Sequence, residues 1–78
     1  MLIRTMYSRI TMNHDKIYTT TRAEGGKDGK PRYVIIGARQ REREELASYD
    51  SREEMYHAFD SLWDAIRHGA QWFDFRKV

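Results

Sequence analysis

The chain has no cysteine, a single proline and no long apolar run, and each shortage closes off a class of protein. Without cysteine there is no disulfide framework and no thiolate zinc site. The opening MLIRTMYSRI reaches Arg4 before an apolar stretch of signal-peptide length can form. A mean hydropathy of -0.87 likewise speaks against a spanning helix. These shortages predict a cytoplasmic protein with no membrane association. Also missing are a G-x-S-x-G elbow, a serine spaced to pair with a histidine, and a glycine loop ending in Gly-Lys-Ser/Thr. No catalytic residue, metal ligand or cofactor is assigned, and an enzyme is the least supported class.

Seventy-eight residues make one domain, 1–78. A chain this short buries only roughly 60 to 65 per cent of its unfolded surface. With disulfides excluded, association with a second copy is the expected reinforcement, so a homo-oligomer is predicted. Aromatics at 13% and hydrophobic residues at 40% supply enough apolar surface for a core despite 33% charged residues. The net charge of +2 hides an asymmetry. Residues 1–44 hold ten Lys/Arg against five Asp/Glu, and residues 45–78 hold four against seven. The two halves are expected to present surfaces of opposite sign.

The first half is rich in β-formers broken by turn chemistry. KIYTTTRAE, with Ile17, Tyr18 and three successive threonines, reads as a strand over Lys16 to Glu24. GGKDGKP forces a turn, and RYVIIGA completes a hairpin. LIRTMY and RITM read as an edge strand or small hairpin; Met6 and Met12 are possible alternative translation starts. RQREREE reads as a loop or protruding hairpin end, and ELASY as a third, central strand. Ser51 in SREE, with Glu54 three residues on, is an N-cap signature, and Gly69 after Arg67 and His68 is a helix stop. The spacing predicts a helix from Arg52 to His68, then a last strand in QWFDFRK. The fold class is α+β: an antiparallel sheet of four or five strands with one amphipathic helix packed on one face.

On that helix Met55, Phe59, Leu62 and Ile66, flanked by Ala58 and Trp63, form the stripe expected to face the sheet. His57, Asp60, Asp64 and His68 point the opposite way. Imidazoles and carboxylates at i, i+4 suit a divalent ion, but an exposed face lacks the further ligands and dry cavity a metal centre needs, so a solvated face is preferred. In EGGKDGK, Gly29-Lys30 is followed by Pro31 and a strand, so a hairpin tip is preferred to a phosphate cradle. Lys27 and Lys30 can still meet an anion there.

The strongest binding candidate is ARQREREE. Arg39, Arg41 and Arg43 recur at period two, and on a continuous strand their guanidinium groups would share one edge able to bind phosphates or an acidic protein surface. The alternative is a solubilising loop neutralised by Glu42, Glu44 and Glu45. Arg4, Arg9, Arg22 and Arg32 add positive charge in the same half, interleaved with Tyr7, Tyr18 and Tyr33, a composition that also suits single-stranded nucleic acid. In AQWFDF, Trp72, Phe73 and Phe75 cannot share one side of a strand. Either Trp72 or the pair Phe73 and Phe75 is expected opposite the helix-covered face, marking an interface, unless a loop buries them.

The short first strand, the IY-containing strand, the hairpin, LASYDSREE leading into a single helix, and the aromatic strand after it resemble a loose group of small proteins encoded by phages and prophages. That resemblance implies an accessory protein of a mobile element. Such proteins include inhibitors of host defence systems, anti-CRISPR proteins among them, that act by binding. Many of those inhibitors mimic DNA through strong negative charge, and the net +2 here departs from that pattern. The expected function is a non-enzymatic binding module for a host protein, a host complex or an anionic ligand. The alternatives are a small nucleic-acid-binding or regulatory protein and, third, a metal-dependent enzyme on the helix stripe.

Overall fold

The computed structural model describes residues 1–23 and 29–78. Its elements run β1 (Leu2–Arg4), β2 (Ile10–Met12), β3 (Lys16–Ala23), β4 (Pro31–Arg39), β5 (Glu42–Tyr49), α1 (Arg52–Arg67), β6 (Trp72–Asp74) and a 3-10 turn, Phe75–Lys77. The α+β class with a single helix against strands is as the sequence predicts. The single sheet of four or five strands is not: there are two three-stranded sheets, ordered β2-β1-β6 and β3-β4-β5.

The β3-β4-β5 sheet is the antiparallel meander that short connections require. ELASY, however, lies in its edge strand β5, and β4 is central. Between β4 and β5 the register changes from Ile35 opposite Ala47 to Ile36 opposite Glu45, which leaves Leu46 as the extra residue of a β-bulge. The bulge explains why Leu46 and Ala47, which would alternate on a regular strand, are both fully buried. It also turns the Leu46 carbonyl outward, where it accepts from the Met6 N–H at 2.8 Å, a main-chain bond that joins the two sheets.

In the small sheet β1 pairs antiparallel with β2 and parallel with β6. The parallel pair departs from the expected pattern because short connections constrain only consecutive strands, and β1 and β6 are separated by most of the chain. The final strand is also shorter than expected. Asp74 accepts from the Arg76 N–H at 2.9 Å and turns the chain into the 3-10 turn, so Phe75 is not on a strand. Phe73 and Phe75 therefore escape the alternation rule; both are buried, with rings edge to face at 4.9 Å.

One core serves all layers: Ile3 and Phe73 from the inner face of the small sheet, Ile35, Leu46 and Ala47 from the large one, Met55, Ala58 and Leu62 from α1, and Phe75. The buried stripe of α1 is rotated from the predicted one. Ala58 is fully buried, Phe59 and Ile66 are half-buried, and Trp63 is 40% exposed. The end signals act as read. Ser51 Oγ accepts from the Glu54 N–H at 3.1 Å, and Gly69, at φ 73°, allows the Gly69 and Ala70 amides to donate to Ile66 and Ala65 at 3.1 and 2.9 Å. The helix ends at Arg67, with His68 as its cap.

Two substitutions test this packing by urea unfolding. Ser51→Ala, which orphans one first-turn amide, is expected to cost about 1 kcal/mol. Leu62→Ala, which opens a cavity where helix and sheet meet, is expected to cost about 3 kcal/mol. Equal costs at the two positions would contradict a core centred on Leu62.

Candidate functional site

An open groove of about 1050 Å³ lies beside β2, walled on the other side by the β4–β5 hairpin end. Its β2 wall is held by the turn that precedes it. Thr5, almost fully buried, accepts from the Tyr7 and Arg9 amides, each at 3.2 Å, while Thr5 N–H donates to the Arg9 carbonyl at 2.7 Å. At the other end the chain turns at Asn13, φ 49°, and Asp15 clamps the hairpin: its N–H donates to the Ala38 carbonyl and its carboxylate accepts from the Gln40 N–H at 2.9 Å.

His14 forms part of the groove wall. Its ring lies against Gly37, where a Cβ would come within 2.6 Å of Nδ1, so only glycine leaves room for the imidazole. Nε2 is 3.3 Å from Thr11 Oγ1, whereas Nδ1 is buried without a hydrogen-bond partner among the described residues. Burial pushes the His14 pKa below its ordinary value of 6.5; Glu44 and Asp15 oppose that shift and Arg39 adds to it.

The arginine row is broken by the fold. The turn falls at Gln40 and Arg41, with Gln40 at φ 56°, and Arg39 pairs with Glu42 while Arg43 pairs with Ala38. The three arginines thus sit at the end of β4, in the turn and on β5, and share no single strand edge. Arg39 and Arg43 nevertheless line the groove, joined by Arg9 from the β1–β2 turn; Arg41 is exposed at the hairpin tip. Arg39 Nη1 donates across the groove to the Met12 carbonyl at 3.2 Å.

Two of the acids beside them have partners. Glu44 meets Arg9 Nε at 3.6 Å, and Glu45 accepts from Arg22 at 3.0 Å and from the Tyr7 hydroxyl. With its one proton on the bond to Glu45, the Tyr7 oxygen accepts from the Ser48 hydroxyl at 2.9 Å; burial, then the bond to Glu45, raises the Tyr7 pKa and the Ser48 bond opposes the rise. Arg43 has no ion pair among the described residues.

The other predicted binding residues lie elsewhere. Arg32 donates to Ser48 Oγ at 2.7 Å and lies at the start of β4, about 22 to 24 Å from Arg39 at the rise of a strand, and Lys30 precedes that strand. Lys27 lies outside the described residues. Of the predicted interface residues, Phe73 and Phe75 are core, so the face they were expected to mark is carried by Trp72 alone, 42% exposed beneath Arg4. It has apolar company the sequence reading missed. On the outer face of the small sheet Trp72, Leu2 and Met12 form one cross-strand row, and Ile10 and Met12 are 53% and 52% exposed. The two-residue alternation of ITM could have shown it. His57, Asp60, Asp64 and His68 all face solvent, as the solvated reading predicts. His57 borders a second concavity of about 520 Å³ between α1 and Val78, where burial pushes the Tyr49 phenol up to about 12. Among the described residues no three His, Asp or Glu side chains are arranged to hold a metal, and no helix is long and apolar enough to cross a membrane.

Gly37→Ala is expected to cost about 1 to 3 kcal/mol in urea unfolding, since the new methyl must displace the imidazole. His14→Ala in the same chain should recover part of that loss; no recovery would show that the ring is not what the methyl meets.

Because the folded-state pKa of His14 lies below 6.5, the unfolded chain takes up the proton first. Stability contributed by neutral His14 is present above pH 6.5 and is lost as pH falls through that value towards the folded pKa. Urea unfolding at pH 7.5 and pH 5.5 should show the wild type losing more stability than His14→Gln, and identical losses would contradict the burial of this ring.

No protein-family model, curated protein or solved structure matches the chain.

Proposed function

We propose that this protein is a non-enzymatic binding module that takes an anionic segment of a partner protein into the groove beside β2. The observation that supports this reading is the charge arrangement there. Arg9, Arg39 and Arg43 come from three separate segments to one cleft, while Glu44 and Glu45 are drawn into ion pairs with Arg9 and Arg22. The lining itself carries three arginines and three glutamates, but Glu45 is paired from outside the groove by Arg22, which leaves Arg39, bonded to a neutral carbonyl, and Arg43 facing the one remaining acid, Glu42: a local excess of one positive charge. Guanidinium groups placed in this way favour carboxylates by paired hydrogen bonding and speed the encounter with an acidic surface. The groove is large, open and mixed in polarity, which suits a stretch of protein better than a small molecule enclosed on most sides.

The wider role we propose is that of an accessory protein of a phage or mobile element that occupies a protein of a host defence system. Nucleic-acid binding through the basic half is the alternative. The tyrosines it would use as stacking platforms already have partners: Tyr7 with Glu45 and Ser48, Tyr18 beneath Lys16, Tyr33 beneath Arg52.

The test uses fluorescein-labelled polyglutamate and a labelled single-stranded oligonucleotide of equal charge, titrated at low and high salt. Polyglutamate should bind more tightly than the oligonucleotide. The double reversal Arg39→Glu with Arg43→Glu should weaken it at least tenfold, and Arg76→Glu, outside the groove, should leave it unchanged. Equal affinity in wild type and double variant would overturn the proposal, and tighter, more steeply salt-dependent oligonucleotide binding would favour the alternative.

A further inference from the structure

The edge of β2 faces the groove, and its hydrogen bonding shows which main-chain groups are free. Thr5 N–H bonds Arg9 C=O, Asn13 N–H bonds Met1 C=O at 3.4 Å, and Ile3 stands opposite Thr11. In an antiparallel pair the bonded positions alternate, so Arg9, Thr11 and Asn13 turn their amides and carbonyls towards β1, and Ile10 and Met12 turn theirs away. The Met12 carbonyl confirms the alternation, because it is the acceptor that Arg39 reaches. The Ile10 N–H, the Ile10 C=O and the Met12 N–H have no main-chain partner among the described residues.

Such an edge invites another strand unless something blocks it. The edge strand β3 carries Lys16 and Arg22, whereas β2 is Ile-Thr-Met, with no charge, proline or bulge. What stands in the way is Arg39, whose guanidinium occupies the one acceptor an incoming amide would use.

We infer that the occupant of the groove is an extended acidic peptide that adds to β2 as a fourth strand of the small sheet. The inference rests on the proposed groove function and names its partner. Alternate side chains of the added strand would meet the half-exposed Ile10 and Met12 on the outer face. Those in between would turn inward beside Arg9, Arg39 and Arg43. As the strand's amide takes the Met12 carbonyl, Arg39 is released to a carboxylate of the same peptide. An alternation of apolar and acidic residues therefore matches the chemistry of both faces. β2 is three residues long, so the paired stretch is short and the charged contacts carry the remaining affinity.

The test titrates the ¹⁵N-labelled protein with a capped octapeptide of alternating valine and aspartate, and with one in which lysine replaces aspartate. Amide exchange at Ile10 and Met12 should slow at least tenfold on adding the aspartate peptide, and the lysine peptide should have no effect. Ile10→Pro removes only an outward-facing N–H, a loss an edge strand tolerates, and should weaken binding at least tenfold with the unfolding midpoint little changed. Should that variant not fold, the exchange measurement on the wild type decides alone. Binding that is lost in Arg43→Glu but gives no protection at Ile10 and Met12 would overturn strand addition and leave the groove reading standing. Equal binding of the lysine peptide would overturn the acidic partner, and binding of neither peptide would overturn this inference while polyglutamate still tested the groove.

Discussion

The extra residue at Leu46 is the constraint from which the arrangement of both sheets follows. Had β5 stayed in register with β4, Leu46 and Ala47 would face opposite sides and one of them would leave the core. The bulge buries both and directs the Leu46 carbonyl to Met6. Because Met6 follows β1, that bond sets where the small sheet begins relative to the large one, and so where Ile3 and Phe73 enter the shared core. The groove is a consequence: with β1 tied to β5 at Met6, β2 and the turn before it lie along the free end of the β4–β5 hairpin.

Polar contacts around Tyr7 fix that turn from the other side. Its hydroxyl meets Glu45 and Ser48, which in turn hold Arg22 and Arg32 from β3 and β4. Two basic side chains that would otherwise add to the charge of the large sheet are used to position a turn. Each exposed pair contributes little stability singly, of order 0 to 1 kcal/mol. Their effect on charge is larger, since pairing Glu45 with Arg22 and Glu44 with Arg9 withdraws two carboxylates from competition for Arg39 and Arg43.

What could be read from the sequence was local. Ser51 and Gly69 bounded the helix because capping depends on neighbours a few residues away, and the β3–β4–β5 meander followed from turn chemistry and short connections. What could not be read depended on contacts distant in the chain. Nothing in ELASY announces a bulge, and nothing in LIR announces a parallel partner some seventy residues later. The arginine row required a continuous strand; RQREREE is instead the hairpin end that its charge suggested, and only the position of the two-residue turn at Gln40 and Arg41 was hidden, because it lacks the glycine or asparagine that usually signals one. Two of its three members still reached one site, because a hairpin end gathers residues from both strands. His14 forms part of the groove wall against Gly37, a pairing that no spacing rule connects.

In the proposed binding mode Arg39 serves both stability and recognition. Its bond to the Met12 carbonyl covers an acceptor of an otherwise unguarded edge and ties the hairpin end to the small sheet, so the groove is braced by the same residue that the proposed acidic strand would engage. Breaking that bond costs roughly 0.5 to 1.5 kcal/mol, and an incoming strand replaces it with a main-chain bond while offering Arg39 a charged partner. Opening the edge is therefore nearly neutral for a peptide that brings both an amide and a carboxylate. It remains uphill for a neutral strand, which supplies only the first. A charged side chain guarding an edge from across a groove thus restricts which chains can pair there, a form of selectivity that lysine or proline on β2 itself would not provide.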